Sequence, residues 1–230
     1  MVYQKQLQQQ PLTGADQSLQ HIEPYFHAAS LLTGAAATKQ QFLEQFPAYR
    51  IVQIYSHAEA DSTGRQPLLY LGDSALLLSQ IQLQEKGGTE LVVLSACRTG
   101  IGKTIRGEGV FSLARGFAAA GVPATVTTLW QVDDKATYAL TEAFYKHLSA
   151  GLCKDEAMQL AKLDLMQNSS LLYGLPYYWA GTILVGNAAK LHDITKPATP
   201  TYTTILVFAA LCVLLFFLLY QFQMHKRPRS

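Results

Sequence analysis

Residues 91–100, LVVLSACRTG, give the clearest indication of the fold class. Four apolar residues lead into two small residues, a cysteine and, three positions later, a glycine. A short apolar run that ends in this way is typical of a buried strand followed by a loop. In open α/β sheets, ligands and reactive groups collect at the carboxyl ends of the strands. We therefore expect Cys97 to lie at the functional edge of a sheet.

A second stretch has the same pattern. Residues 49–57, YRIVQIYSH, form a short apolar run that ends in a histidine. If the two runs form neighbouring parallel strands, His57 and Cys97 leave the sheet at the same edge. The segment between them is long enough for the crossover connection that parallel strands need. A cysteine and a histidine that are distant in sequence but close in the fold suit thiolate catalysis.

Two interpretations of Cys97 stay open from the residues alone. As a nucleophile, its thiol would lose a proton to His57, which would later protonate the leaving amine. Backbone N–H groups of Ala58 and Cys97 would then hold the oxyanion. As a structural residue, Cys97 would be a small buried hydrophobic side chain, which is how free cysteines commonly behave.

The remaining sequence alternates between helical and strand patterns. Helices are expected over residues 16–29, 38–46, 73–83, 110–120, 135–150 and 154–166. Strands are expected over residues 30–32, 50–56, 68–71, 91–95 and 125–130, and a last strand is expected within 177–186, after the aromatic residues at 177–179. Trp130 and Trp179 are interpreted as core aromatic residues. This alternation predicts an α/β fold with a mostly parallel sheet covered by helices on both faces.

Composition excludes several classes of protein. The 230 residues carry a net charge of +2, which is too small for the basic surface of a nucleic-acid-binding protein. The three cysteines lack the paired spacing of a zinc site or disulfide framework, and the six histidines show no metal-binding spacing. We therefore expect no metal, no cofactor and no contact with nucleic acid. A free thiol favours a reducing compartment.

The C-terminal part of the sequence predicts a membrane anchor. After a polar segment (1–15) and the α/β domain (16–188), residues 189–201 resemble a linker, and residues 202–222 form an apolar segment without charge. About twenty apolar residues suffice to span a bilayer as a helix. A buried core helix is the alternative, but only the basic tail, residues 223–230, follows to cover it.

The orientation of this anchor rests on two opposing signals. Basic residues in the tail favour a cytoplasmic C-terminus, which would put the domain on the other side of the membrane. The free thiol, and the lack of an apolar signal peptide near Met1, favour a domain on the cytoplasmic side. We expect the second arrangement, because Lys190 and Lys196 on the other side of the span reduce the charge bias.

Seven short blocks, taken together, resemble the CHAT family of caspase-like cysteine peptidases, in the clan of caspases, separases and gingipains. The blocks are LTGAAAT (32–38), VQIYSH (52–57), LVVLSACRTG (91–100), GEG (107–109), LWQVDD (129–134), FYKHL (144–148) and YWA (178–180). The resemblance implies a caspase-like three-layer α/β/α sandwich. It also implies that His57 and Cys97 form a catalytic dyad that cleaves a protein substrate.

The sequence departs from the family pattern at three points. Ala58 stands where the family usually has glycine, and Arg98 stands where it often has glutamate. A cation beside the thiol lowers its pKa, so Arg98 favours the thiolate. The resemblance also begins partway into the family domain, without its N-terminal strand–helix portion or upstream tetratricopeptide repeats. We therefore expect either a fragment or a chain that is activated by a protein partner or repeat domain.

Two aspartates follow the predicted strand at 125–130. Asp133 and Asp134 have a purely structural interpretation as the N-cap of the next helix. The resemblance implies another, because related peptidases that cleave after Arg or Lys carry a carboxylate in their first specificity pocket. Asp133 or Asp134 is the candidate for that carboxylate, and Glu108 is a weaker one.

Two functional hypotheses follow from these observations. The first is a membrane-anchored cysteine endopeptidase that cleaves after a basic residue and is activated by a partner. The second is a catalytically inactive CHAT-like interaction module at the membrane. A nucleotide switch is a weak third, because the GKT sequence at 102–104 would need glycine at the position of Cys97 to complete a phosphate-binding loop.

Overall fold

Strands and helices alternate along the computed structural model, which describes residues 12–59, 67–83, 87–95, 108–168 and 171–194. The strands are β1 (Ile51–Tyr55), β2 (Ala58–Glu59), β3 (Leu68–Tyr70), β4 (Ala75–Leu77), β5 (Leu91–Ser95), β6 (Ala124–Thr128) and β7 (Thr182–Gly186). The α-helices are α1 (Ala15–Ile22), α2 (Lys39–Gln45), α3 (Leu78–Gln82), α4 (Glu108–Ala119), α5 (Asp134–Ser149), α6 (Lys154–Asn168) and α7 (Pro176–Trp179).

The main sheet contains, within the described residues, four strands in the order β1-β5-β6-β7. Strand β5 pairs in parallel with both β1 and β6, which confirms the predicted parallel neighbours. Strand β7 pairs antiparallel with β6. The two long helices α5 and α6 pack on each other after the tight turn at Gly151 and together return the chain to the carboxyl edge. The last strand must therefore run in the opposite direction.

Side-chain alternation in β5 places helices on both faces of this sheet. Leu91 and Val93 pack in a core with α1, α5 and α6. Val92 and Leu94 pack in a second core with α3, α4 and Phe46. All four side chains are almost completely buried. Such a continuous apolar run is expected for a strand that is covered on both faces, so the predicted α/β arrangement is confirmed.

A second small sheet corrects one prediction. Strands β2, β3 and β4 form an antiparallel sheet among the described residues. Residues 73–83 were expected to be one helix, but they form β4 followed by the short helix α3. The Asp73 side chain, the predicted helix cap, instead accepts a hydrogen bond from the Lys39 N–H at 2.8 Å. Pairing with β3 buries Leu76, so tertiary contact overrides the local pattern.

The N-terminal predictions are only partly correct. Helix α1 ends at Ile22 because Pro24 follows in a short 3₁₀ helix, so it does not reach residue 29. Its N-cap is Gly14, with a positive φ of 95°, and not Asp16. Residues 30–32 are irregular and not a strand. The Thr38 cap of α2 is confirmed, because its hydroxyl accepts the Gln41 N–H at 3.2 Å.

The predicted membrane anchor, residues 202–222, lies outside the described residues, as do the linker after residue 194 and the basic tail. No helix in the described part of the chain is both long and apolar enough to cross a membrane.

Candidate functional site

His57 lies where the chain leaves the main sheet for the small one. Its backbone is tied down, since its carbonyl oxygen accepts the Tyr70 N–H at 2.9 Å. The buried hydroxyl of Ser56 lies 2.9 Å from the same oxygen and 2.5 Å from the carbonyl oxygen of Tyr70. The His57 side chain is half-buried. The histidine therefore stands on a fixed backbone at the carboxyl end of β1.

The β1–β5 register relates His57 to the cysteine motif. Every paired position has the same offset in sequence, from Ile51 opposite Leu91 to Tyr55 opposite Ser95. His57 follows Tyr55 by two positions, and Cys97 follows Ser95 by two positions, so the histidine and the cysteine keep that offset. Cys97 itself lies outside the described residues, so its distance from His57 stays a prediction.

Ala58 begins β2 and its side chain is buried in the core. Because the Tyr70 N–H donates to the His57 carbonyl, the pair Ala58–Leu69 occupies a non-hydrogen-bonded position of the β2–β3 ladder. In that position the Ala58 N–H is directed away from β3. This geometry leaves the N–H unused by the ladder, as the predicted oxyanion role requires.

A polar layer lies beneath the carboxyl edge, between the sheet and α5. The Gln53 side-chain amide donates to the Ser95 hydroxyl at 3.3 Å, and that hydroxyl lies 3.5 Å from the Thr141 hydroxyl. The Tyr55 hydroxyl lies 2.9 Å from the Ser18 hydroxyl. Burial raises the pKa of Tyr55 to about 12, so this hydroxyl stays protonated at neutral pH.

This polar layer was missed at the sequence level. Its signal was present as three polar side chains at alternate positions of otherwise apolar strands, namely Gln53, Tyr55 and Ser95. The same face borders a small cavity whose lining includes Ser95, Thr128 and Thr137. The hydroxyl groups that line this cavity, which we call the hydroxyl-rich wall, distinguish the carboxyl end of the sheet from the apolar core.

Asp133 and Asp134 have different surroundings. The Asp133 carboxylate caps α5 by accepting the Ala136 N–H at 3.0 Å, and it also accepts the Tyr173 hydroxyl at 3.3 Å. The N-cap interpretation of Asp133 is therefore confirmed. Both residues are exposed, and Asp134 lies in the first turn of the same helix. Glu108 is the first residue of α4, and its side chain lies outside the described part of the chain.

An aromatic segment covers the end of β6, next to α5. The Trp130 ring N–H donates to the Tyr177 carbonyl at 2.9 Å, and the Tyr177 hydroxyl donates to the Gln131 carbonyl at 2.8 Å. Trp130 is 37 % exposed, so its interpretation as a core residue was wrong. Burial, and secondarily the neighbouring Asp133 charge, raises the pKa of Tyr173, which keeps its hydroxyl a donor to that carboxylate.

Within the described ranges, no group of three or more His, Cys, Asp or Glu residues is arranged to hold a metal ion. The groups that the described part of this edge does offer are a histidine, two carboxylates and the hydroxyl-rich wall.

The strands and helices define a mixed α/β protein with a mostly parallel sheet, and a histidine follows the carboxyl end of β1. Residues 2–187 match the CHAT domain, and the chain belongs to the CHAT domain family. It is also similar to Tetratricopeptide repeat protein 28 of Mus musculus, with 31% identity over 132 residues, or 57% of this chain. The Homo sapiens protein of the same name is 33% identical over 117 residues, or 51% of this chain. In each case the match spans only 5% of that protein's length.

Proposed function

We propose that this protein is a caspase-like cysteine endopeptidase in which His57 and Cys97 form the catalytic dyad. The supporting observation is the register of β1 and β5, whose constant offset equals the sequence separation of the histidine and the cysteine. If both strands continue for two positions beyond their last pair, the two residues emerge side by side at the carboxyl edge.

The proposed reaction is acyl transfer through a thioester. The Cys97 thiol gives its proton to His57, and the thiolate attacks the carbonyl carbon of the scissile peptide bond. The Ala58 N–H, directed away from β3, stabilises the oxyanion together with the N–H of Cys97. His57 then protonates the amine as the C–N bond breaks. Water hydrolyses the thioester and restores the thiol.

The preference for a basic residue before the scissile bond would come from Asp134. Both aspartates are exposed, but the Asp133 carboxylate already accepts two hydrogen bonds, from Ala136 and Tyr173. A carboxylate beside the reaction centre favours a Lys or Arg side chain through a charge-assisted hydrogen bond. Replacing each aspartate in turn therefore distinguishes the proposed specificity role of Asp134 from the capping role of Asp133.

The proposal extends to the membrane and to a partner. The apolar segment 202–222 would anchor the chain, with the domain on the cytoplasmic side. The relatives are named for tetratricopeptide repeats and are far longer than the matched region. A repeat-containing partner that binds the domain would be the activator.

Covalent labelling tests the dyad. The full chain in detergent is treated with an acyloxymethyl ketone that carries Arg next to its reactive carbon, and adducts are measured by mass spectrometry. We expect a thioether on Cys97 that is lost in Cys97→Ala and strongly reduced in His57→Ala. Cys153→Ala is the matched control, because Cys153 is a partly exposed free thiol on the turn before α6. Labelling that persists in Cys97→Ala would contradict the proposal.

A second candidate function is a non-catalytic CHAT-like interaction module. The observation that favours it is Ala58, whose side chain is buried where the family usually has glycine. Absence of labelling in folded chain, both alone and with a tetratricopeptide-repeat partner added, would support this alternative. The Ala58→Gly variant separates the two explanations, because labelling that appears only with glycine identifies the Cβ as the obstacle.

A further inference from the structure

Several large apolar side chains are exposed at the functional edge. Four of them, Trp130, Leu172, Leu175 and Tyr177, are connected by local hydrogen bonds, and we call these four the apolar patch. Leu172, Leu175 and Tyr177 are 52, 51 and 53 % exposed, respectively. Single exposed apolar residues are ordinary on protein surfaces, but a group of them marks a binding site.

The backbone holds the members of the apolar patch together. The Leu175 N–H donates to the Leu172 carbonyl at 3.1 Å. In such a turn the Cα atoms of the first and fourth residues, here the two leucines, lie within about 7 Å of each other. The hydrogen bond from Trp130 to the Tyr177 carbonyl joins the two aromatic members. A Cβ on Gly181 would lie only 2.6 Å from the Trp130 ring, so the glycine allows this ring to pack closely.

The apolar patch lies close to the two aspartates, of which Asp134 is proposed to bind the Lys or Arg side chain of a substrate. Tyr173, inside the leucine turn, donates its hydroxyl to Asp133, and the exposed Asp134 follows directly. A bound peptide therefore meets an anion and an apolar surface within a few residues of each other. Because the turn is fixed by hydrogen bonds and ring packing, little conformational entropy is lost when a peptide binds.

We infer that the apolar patch is a substrate subsite that selects an apolar residue next to the basic residue of an extended polypeptide. This inference rests on the proposed function, because it deepens the specificity of the same site. The charge on Asp134 and the apolar character of its neighbours together fit one occupant, a peptide in which Lys or Arg is flanked by leucine-like side chains.

Peptide binding tests the subsite without requiring catalysis. Four fluorescein-labelled peptides combine a central Arg or Glu with flanking leucines or alanines. Their binding to the full chain carrying Cys97→Ala, in detergent, is measured by fluorescence anisotropy. We expect the Arg–leucine peptide to bind about tenfold more tightly than the Arg–alanine peptide, the ratio expected for burying a few apolar carbons.

Matched variants assign each preference to its residues. Leu172→Ser with Leu175→Ser should abolish the leucine preference and retain the Arg preference, whereas Asp134→Asn should do the reverse. Leu83→Ser is the control, because Leu83 is 84 % exposed and directly follows α3, whose Ile81 packs in the core on the opposite face of the sheet. Unchanged near-ultraviolet circular dichroism verifies that the serine variants remain folded.

The outcomes separate this inference from the proposed function. Equal binding of leucine and alanine peptides, no binding at all, or a leucine preference that survives the double serine variant would overturn the subsite. Ketone labelling of Cys97 without any leucine preference would leave the peptidase proposal standing and reject the subsite alone. A leucine preference without labelling would retain the subsite and favour the interaction module.

Discussion

Replacing Asp133 with alanine should destabilise the domain by about 1.5 kcal/mol, the sum of a lost helix cap and a lost hydrogen bond. The change removes the N-cap of α5, whose bond to the Ala136 N–H is 3.0 Å long. Loss of such a cap costs about 1 kcal/mol. The change also removes the hydrogen bond from Tyr173, at 3.3 Å, which is exposed and contributes about 0.5 kcal/mol.

Two variants isolate the capping contribution. Asp133→Ser keeps a side-chain acceptor for the Ala136 N–H, so it should cost about 0.5 kcal/mol. Asp134 is not the N-cap, and Asp134→Ala removes only a negative charge from the first turn of the helix. Loss of the interaction between that charge and the helix dipole should also lower the free energy of unfolding by about 0.5 kcal/mol. The two neighbouring aspartates therefore differ about threefold in their effect on stability.

Urea denaturation of the full chain in mild detergent, followed by circular dichroism at the helical minimum, measures these differences. With a slope of about 2 kcal/mol per molar urea, Asp133→Ala should lower the midpoint by about 0.75 M. The Asp133→Ser and Asp134→Ala midpoints should fall by about 0.25 M. Equal midpoints for the two alanine variants, or no rescue by serine, would refute the capping argument.

Two further predictions concern the polar layer and the apolar patch. Unfolded Tyr55 ionises near pH 10, but burial raises its folded pKa to about 12, so the folded state loses stability as the pH rises between these values. Tyr55→Phe should therefore reduce the alkaline loss of stability by about 2 kcal/mol, measured by urea titration at pH 9 and 12. Gly181→Ala should displace the Trp130 ring and shift its fluorescence to longer wavelength, whereas Gly88→Ala, where a Cβ has space, should not.

Much of the fold follows from local patterns in the sequence. The apolar run of β5 predicts a strand buried on both faces, because such continuity is seldom compatible with solvent on one side. Thr38 and Asp133 were recognised as caps because a cap depends on contacts within one helical turn. The connection between β1 and β5 is long enough to allow them to be parallel neighbours, and the structure shows that pairing.

Other features depend on contacts between distant segments. Residues 75–77 carry a pattern that suits a helix, but pairing with β3 makes them a strand. The antiparallel direction of β7 depends on two packed helices that return the chain to the carboxyl edge. Neither the strand at residues 75–77 nor the direction of β7 can be predicted from neighbouring residues, because each depends on a segment elsewhere in the chain.

The candidate site divides in the same way. The candidate residues can be found from local patterns alone, namely a histidine and a cysteine after two apolar strands and two aspartates, one of them a helix cap, after a third. Tertiary contacts, in contrast, bring the Tyr173 hydroxyl to the Asp133 carboxylate and the Trp130 ring to the Tyr177 carbonyl, each across at least forty residues of sequence. The physical reason is that strand and cap preferences act within a few residues. The surroundings of a side chain are instead set by whichever distant segments the packed sheet brings against it.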